Sequence, residues 1–168
     1  MAPSDICRHP ALRVGDYALT PVYRQTTPAV RDEAVAFWFA QGALRESCLA
    51  HRRSYELVYI ARGADGHLAG TTSVSLGRRT REGLNVYDLR IFIARPHRGQ
   101  VLARELMRHS RDLLQRDSLI HPAAGLRLFA EDPKLRRPGI HRYLERHGYR
   151  YRGPDRKGQD IWYSPFGP

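Results

Sequence analysis

The sequence contains little cysteine and no long apolar run. Only Cys7 and Cys48 occur in 168 residues, too few for a disulfide framework, so both are predicted to be free thiols. No apolar stretch approaches the roughly 20 residues that a membrane-spanning helix requires. The first fifteen residues also lack the apolar core of a signal peptide. We therefore expect a cytoplasmic or nucleoid-associated protein rather than a secreted or membrane-spanning one.

Lysine and the acidic residues are scarce as well. Lys134 and Lys157 are the only lysines, and 28 Lys and Arg residues face 17 Asp and Glu, which gives a net charge of +11. Such an excess attracts anionic partners such as nucleic acid, CoA or an acidic protein. A solvated arginine-rich surface explains the charge equally well. Charge alone therefore does not identify a partner.

The sequence also lacks the short motifs of several enzyme classes. There is no CxxC, no Walker A sequence and no Gly-x-Ser-x-Gly elbow. His141 and His147 are the closest helical histidine pair, but they are six residues apart and do not share a helix face. These absences disfavour a metal-dependent enzyme or one with a serine nucleophile.

What the chain does contain is a strand, a tight basic turn and a helix between Leu84 and Gln115. Apolar residues alternate along the strand, Pro96 and Gly99 mark the turn, and from Gln100 onward the apolar period changes to about 3.6. The helix is predicted to begin near Gly99. Its first N–H groups and the positive end of its dipole would then face the turn, which predicts a phosphate site. A plain packing unit with a solvated turn is the alternative.

The rest of the chain predicts one α+β domain. Residues 1–17 have no period and are predicted to be extended or partly disordered, and residues 18–168 form the domain. The predicted elements are a strand at 17–24, a helix capped by Thr27, a helix at 43–53, two strands joined at Asp65-Gly66, the central strand and helix, a strand at 124–131, a helix at 138–147, and strands at 149–152 and 159–164.

The turn and the order of elements resemble one known family. Arg98-Gly99-Gln100-Val101-Leu102-Ala103 resembles the acyl-CoA motif R/Q-x-x-G-x-G/A of the GNAT superfamily of N-acetyltransferases, with Val101 where the family has glycine. The order β-α-α-β-β-β-α-β-α-β-β over residues 18–166 is that of the GNAT fold. The resemblance implies a mixed, mostly antiparallel central sheet flanked by helices.

The resemblance also implies an activity and a co-substrate. The protein would transfer an acetyl group from acetyl-CoA to a primary amine by direct attack in a ternary complex, without a metal. The phosphates would bind the backbone amides of Arg98, Gly99, Gln100, Val101, Leu102 and Ala103, helped by the guanidinium of Arg98 or Arg104. A backbone N–H near Ile93 or Ala94 would polarise the thioester carbonyl.

Three residues are candidates for the proton transfers. Glu131 and Asp88 could each act as the base, directly or through water, while an ion pair with Arg90 or Arg127 is the alternative for Asp88. Tyr143 is the candidate acid, although Leu144 occupies the position where the family has its tyrosine, and packing is the alternative role for Tyr143. By the same resemblance, Phe37, Trp38 and Phe39 are candidates for a substrate floor, but consecutive residues cannot all face one way, so at least two are expected in the core.

A second hypothesis is a catalytically inactive GNAT-derived module that binds nucleic acid or a protein, since Val101 and Leu144 both depart from the family pattern. Between Lys134 and Lys157 there are nine Lys or Arg residues and two acids, with three tyrosines among them. This composition predicts weak, sequence-independent RNA binding. The alternative is that Arg136, Arg137 and Arg142 serve the CoA 3′-phosphate. The resemblance also allows a homodimer formed through the C-terminal strands.

Overall fold

The computed structural model describes residues 10–77, 79–80, 82–99, 101–130 and 137–167. The strands are β1 (Leu12–Val14), β2 (Tyr17–Pro21), β3 (Leu57–Arg62), β4 (Leu68–Leu76), β5 (Asn85–Ile93), β6 (Ala123–Ala130), β7 (Arg150–Pro154) and β8 (Asp160–Pro165). The helices are α1 (Pro28–Ala40), α2 (Ser47–Ser54), α3 (Val101–Asp117) and α4 (Pro138–Arg146), and a single 3₁₀ turn covers Arg95–His97.

The predicted α+β class and order of elements are confirmed, with one strand added at the start. β1 pairs antiparallel with β2, and Gly15 makes the turn with φ +56°. A strand of three residues is too short to show a period, which is why the sequence did not predict it. Helix α2 begins at Ser47, four residues later than predicted.

The strands form one mixed sheet, and the chain divides into two compact units along it. The first unit is Met1–Ser73 with Ile91–Arg108, and the second is Val74–Arg90 with His109–Pro168. Strands β4 and β5 each contribute residues to both units. The strand order is β1-β2-β3-β4-β5-β6-β8-β7.

In the first unit, α1 and α2 cover an apolar core. Thr27 caps α1 by accepting a hydrogen bond from the N–H of Val30 at 3.3 Å, and Pro28 follows as the first helical residue, as predicted. Trp38 is 2% exposed and donates its indole N–H to Thr71 at 3.0 Å. The predicted hairpin is confirmed between β3 and β4, where Gly66 has φ +80°.

In the second unit, β5 and β6 run parallel and β6, β8 and β7 are antiparallel. Leu126 and Trp162 are fully buried on one face. On that same face, Arg111 of α3 donates to Ser164 at 2.8 Å, and the ring of His141 in α4 lies 4.8 Å from that of Trp162. The paired residues of β5 and β6 end at Leu89 and Leu128, before either strand ends.

Two further predictions concern thiols and membranes. The thiol of Cys48 is free and exposed, as expected, while Cys7 lies outside the described residues. In the described ranges, no helix combines the length and apolar character needed to cross a bilayer.

Candidate functional site

The turn that joins β5 to α3 has the features expected of an anion site. After Ile93 the chain makes the 3₁₀ turn Arg95–His97, Gly99 takes φ +77°, and α3 begins at Val101. A left-handed φ favours glycine because it has no Cβ. The first amides of α3 are directed at this turn. Gln100, also predicted to bind phosphate, lies outside the described residues.

The side chain of Arg98 connects the turn to the end of β5. Its Nε donates to the carbonyl of Ile93 at 2.9 Å, and its guanidinium carbon lies 5.8 Å from the centre of the Phe92 ring. The side chain therefore fixes the end of β5 relative to the turn. The sequence predicted a phosphate contact for Arg98 and gave no indication of this second role.

The backbone N–H groups of Ile93 and Ala94 point to opposite sides of β5. The N–H of Ala94 donates to the carbonyl of Ala69 in β4 at 2.9 Å. Because backbone groups alternate along a strand, the N–H and C=O of Ile93 point away from β4. Ile93 is thus the better placed of the two predicted carbonyl-polarising residues.

Tyr17 of β2 contacts the same turn through His97. Its hydroxyl and Nδ1 of His97 share a hydrogen bond of 3.0 Å, and the two rings meet edge to face at 5.5 Å. Tyr17 is 6% exposed. The two residues are 80 positions apart, so no local sequence signal connects them.

The start of α3 combines core residues with a charged surface. Leu102 is fully buried, Val101 is half-buried, and Ala103 and Arg104 are exposed. Glu105 accepts hydrogen bonds from Arg104 at 3.3 Å and from Arg108 at 2.6 Å. Burial by itself would raise the pKa of Glu105, but the two guanidinium groups outweigh it and lower that pKa.

Asp88, a candidate base, is held in an ion pair in the second unit. Nε and Nη2 of Arg127 both lie 2.7 Å from Oδ1 of Asp88. A Cβ on Gly77 would come within 2.5 Å of Arg127 Nη2 and 2.6 Å of Asp88 Oδ1, so glycine leaves room for the pair. Arg90 instead donates to Ser75 at 2.8 Å. Of the two predicted partners, Arg127 is the one that pairs with Asp88.

The candidate acid and the other candidate base lie beyond β6 in the chain. The ring of Tyr143 stacks on that of His147 with centres 4.1 Å apart, and its hydroxyl is buried. Leu144 is 7% exposed and packs in the core. Burial raises the pKa of the nearby Tyr149 hydroxyl, and Arg111 opposes that rise. Glu131 lies outside the described residues.

Comparison with solved structures identifies the fold. A GNAT-family acetyltransferase from Streptococcus pneumoniae superimposes with a TM-score of 0.60 at 14% identity, covering 89% of this chain and 99% of that one. AtaTR bound with acetyl-CoA gives 0.60 at 16% identity, covering 91% and 95%. A bacterial toxin gives 0.62 at 13%, covering 89% and 90%. The chain therefore has the fold of these GNAT-type proteins.

Similarity to known sequences covers only part of the chain. No protein-family model matches the chain. Streptothricin acetyltransferase from Streptomyces lavendulae is 34% identical over 97 residues, which are 58% of this chain and 46% of that protein. The chain thus matches about half the length of this curated relative.

The remaining predictions concern metals and the aromatic run. Among the described residues, no group of three His, Cys, Asp or Glu side chains is arranged to hold a metal ion. Trp38 lies in the core, Phe37 packs against that core, and Phe39 is 40% exposed. Trp38 is therefore a core residue and Phe37 lies at the edge of that core, whereas Phe39 is at the surface.

Proposed function

We propose that this protein is an N-acetyltransferase that moves an acetyl group from acetyl-CoA to a primary amine by direct attack in a ternary complex. The observation that carries this proposal is the turn after β5, where Gly99 has φ +77° and Arg98 braces Ile93 in a chain with the GNAT fold. The similarity to streptothricin acetyltransferase and to AtaTR bound with acetyl-CoA supports both the reaction and the co-substrate.

The co-substrate would bind through the backbone of the turn and of α3. The amides of Arg98, Gly99, Gln100, Val101, Leu102 and Ala103 would hold its phosphates, because helix N-termini present unpaired N–H groups and positive potential. Arg104 is exposed beside them and would add charge. The N–H of Ile93 would donate to the thioester oxygen, since the N–H of Ala94 already donates to Ala69.

The reaction needs two proton transfers. The amine nitrogen attacks the thioester carbon, the C–S bond breaks, the proton lost by the amine passes to a base, and the CoA sulfur leaves as a thiolate that takes up a proton. Glu131 and Asp88 are the proposed bases and Tyr143 the proposed acid. Asp88 would act through water, because Arg127 already occupies Oδ1.

The proposed acceptors are primary amines of several classes. Small amines, antibiotics, protein N-termini, lysines and aminoacyl-tRNA all carry a suitable primary amine. The name of the curated relative makes streptothricin the first acceptor to test. A cytoplasmic location and a homodimer formed through the C-terminal strands belong to the same proposal.

Calorimetric titration with acetyl-CoA, followed by an assay for released CoA thiol over an amine panel that includes streptothricin, tests the proposal. Arg98→Ala is expected to weaken acetyl-CoA binding severalfold, because the carbonyl of Ile93 loses its donor. Arg95→Ala removes an exposed guanidinium from the same turn and serves as the charge-matched control.

Two results would count against this function. If neither heat nor a thermal shift is seen at millimolar acetyl-CoA, acetyl-CoA is not the co-substrate. Acetyl-CoA binding without thiol release from any amine would instead favour the inactive binding module.

A further inference from the structure

A row of four side chains crosses the strands of the second unit. In the sheet register Asp88 of β5 is opposite Arg127 of β6, Arg127 is opposite Tyr163 of β8, and Tyr163 is opposite Arg150 of β7. Opposite residues project from the same face of a sheet. The row therefore extends over three strand spacings, about 14 Å.

Tyr163 is fixed at the centre of this row. Its hydroxyl donates to the carbonyl of Ala124 at 3.0 Å, and the guanidinium carbon of Arg152 lies 5.3 Å from the ring centre. Burial raises the pKa of Tyr163, whereas the charges of Arg152 and Arg150 lower it and that of Glu82 raises it. Both arginines thus act electrostatically on this one ring.

Arg127 is also held in place. Asp88 binds its guanidinium at 2.7 Å, Gly77 leaves space for the pair, and the guanidinium carbon lies 5.5 Å from the centre of the Phe129 ring. A side chain fixed by an ion pair and a ring loses little entropy when it contacts a ligand.

Three cations face two acids in this group, since Asp88 pairs with Arg127 and Glu82 lies near enough to Tyr163 to raise its pKa. Arg150 and Arg152 are exposed, and neither forms an ion pair within the described ranges. Arg111 of α3 contacts Ser164, and His141 of α4 contacts Trp162. Ser164 and Trp162 flank Tyr163 in β8, so their side chains project from the opposite face of the sheet. In the described part of this unit, no helix covers the row.

We propose that this face, formed by Arg127, Arg150, Arg152, Phe129 and Tyr163, binds a segment of single-stranded nucleic acid. Arg150 and Arg152 contact backbone phosphates, and a base stacks on the ring of Tyr163 or on the guanidinium above it. Cations interleaved with aromatic rings are the usual platform for single strands. The cations are spread along the row rather than converging on one point, which favours a chain of phosphates over a single small anion. The proposal does not depend on acetyl transfer.

Fluorescence anisotropy with labelled oligouridine and oligodeoxythymidine, measured over a series of salt concentrations, tests this binding. Replacing both Arg150 and Arg152 with alanine is expected to weaken binding at low salt and to reduce the log–log salt slope by about 1.4, or about 0.7 per lost phosphate contact. Replacing Arg142 and Arg146 with alanine is the control. Both are exposed arginines of α4, and this control should leave the slope unchanged.

Tyrosine variants separate stacking from charge. Tyr163→Leu is expected to weaken binding roughly fivefold to 100-fold at every salt concentration without changing the slope. Tyr163→Phe keeps the ring and should bind nearly as well as the native protein. Circular dichroism of both variants shows whether any loss of binding in the Leu variant comes from misfolding.

Several outcomes would overturn the proposal. These are no binding of either oligonucleotide at low salt and micromolar protein, an equal loss in the Arg142 and Arg146 control, or equally effective competition by polyglutamate, which would indicate an acidic protein partner. Acetyl-CoA affinity should be unchanged in the Arg150 and Arg152 variant, so failure of this proposal and failure of the proposed enzyme activity are distinguishable.

Discussion

At the scale of single residues, the packing of the second unit can be tested at two glycines, one closely surrounded by other atoms and one with open space around it. A Cβ on Gly125 would collide with the backbone oxygen of Ser164 and lie 2.8 Å from Cα of Pro165. Backbone atoms cannot move aside as a flexible side chain can. We expect Gly125→Ala to destabilise the protein by about 3 kcal/mol, at the upper end of overpacking costs. Urea denaturation measures the change.

Gly139 is the matched control for that substitution. It lies in the first turn of α4, and a Cβ there would meet nothing within 4 Å. Gly139→Ala should therefore stabilise the protein by roughly 0.5–1 kcal/mol, because alanine loses less backbone entropy in a helix. Equal effects of the two substitutions would contradict the close approach of β6 and β8 at Gly125.

Glu105 predicts a pH dependence of stability. Burial raises its pKa, but Arg108 and Arg104 together lower it below the ordinary value. A lowered folded pKa stabilises the protein above the ordinary pKa of glutamate, about 4.3, and that contribution is lost as the pH falls through the folded value. Glu105→Gln should lower Tm at neutral pH, and the difference from the native protein should shrink in acid.

Thermal unfolding from neutral to acidic pH measures this difference. Glu145 is an exposed acid of α4, and Glu145→Gln is the control, which should not reproduce the trend. A gap between native and Glu105→Gln proteins that stays constant with pH would exclude a contribution from the carboxylate.

At the scale of elements, the affinity of the turn between β5 and α3 for acetyl-CoA depends on how closely the pyrophosphate can approach the backbone. Val101, the first residue of α3, stands where GNAT-like motifs have glycine. We expect Val101→Gly to tighten acetyl-CoA binding severalfold, because removing the side chain opens the helix N-terminus to the pyrophosphate. The substitution also lowers helix propensity, at a cost below about 1 kcal/mol.

Calorimetry on Val101→Gly and Val101→Ala separates these effects. Alanine keeps helix propensity and removes most of the side chain, so its affinity should be intermediate. If acetyl-CoA affinity is unchanged in both variants, Val101 does not limit the approach of the cofactor.

At the scale of the whole molecule, two tryptophans report on the two units. Trp38 belongs to the first unit and Trp162 to the second, and they are 2% and 1% exposed. Because β4 and β5 run through both units, we expect the chain to unfold in one cooperative transition. Trp38→Phe and Trp162→Phe each leave one reporter, whose urea midpoint should coincide with that from circular dichroism of the same variant.

Different midpoints for fluorescence and circular dichroism in either variant would show that one unit unfolds before the other. The comparison is made within each variant, because Trp38→Phe also removes the hydrogen bond to Thr71 and lowers the midpoint of both signals together.

The local features of this protein follow from short stretches of its sequence. The cap at Thr27, the hairpin at Gly66 and the start of α3 near Gly99 were all predicted, because each depends on the conformational preferences of a few adjacent residues. The order of elements followed from these boundaries and from apolar periodicity. The short β1 and the late start of α2 were not predicted, since such brief segments carry no clear period.

Contacts between side chains that are distant in sequence depend on how the strands pair. The sequence left Arg90 and Arg127 as equal partners of Asp88, and the parallel register of β5 and β6 brought Arg127 opposite it. The bond between Tyr17 and His97 and the row through Tyr163 likewise depend on strand order and register. A shift of one residue in register would turn every side chain of a strand to the other face, and that choice depends on long-range packing rather than on neighbouring residues.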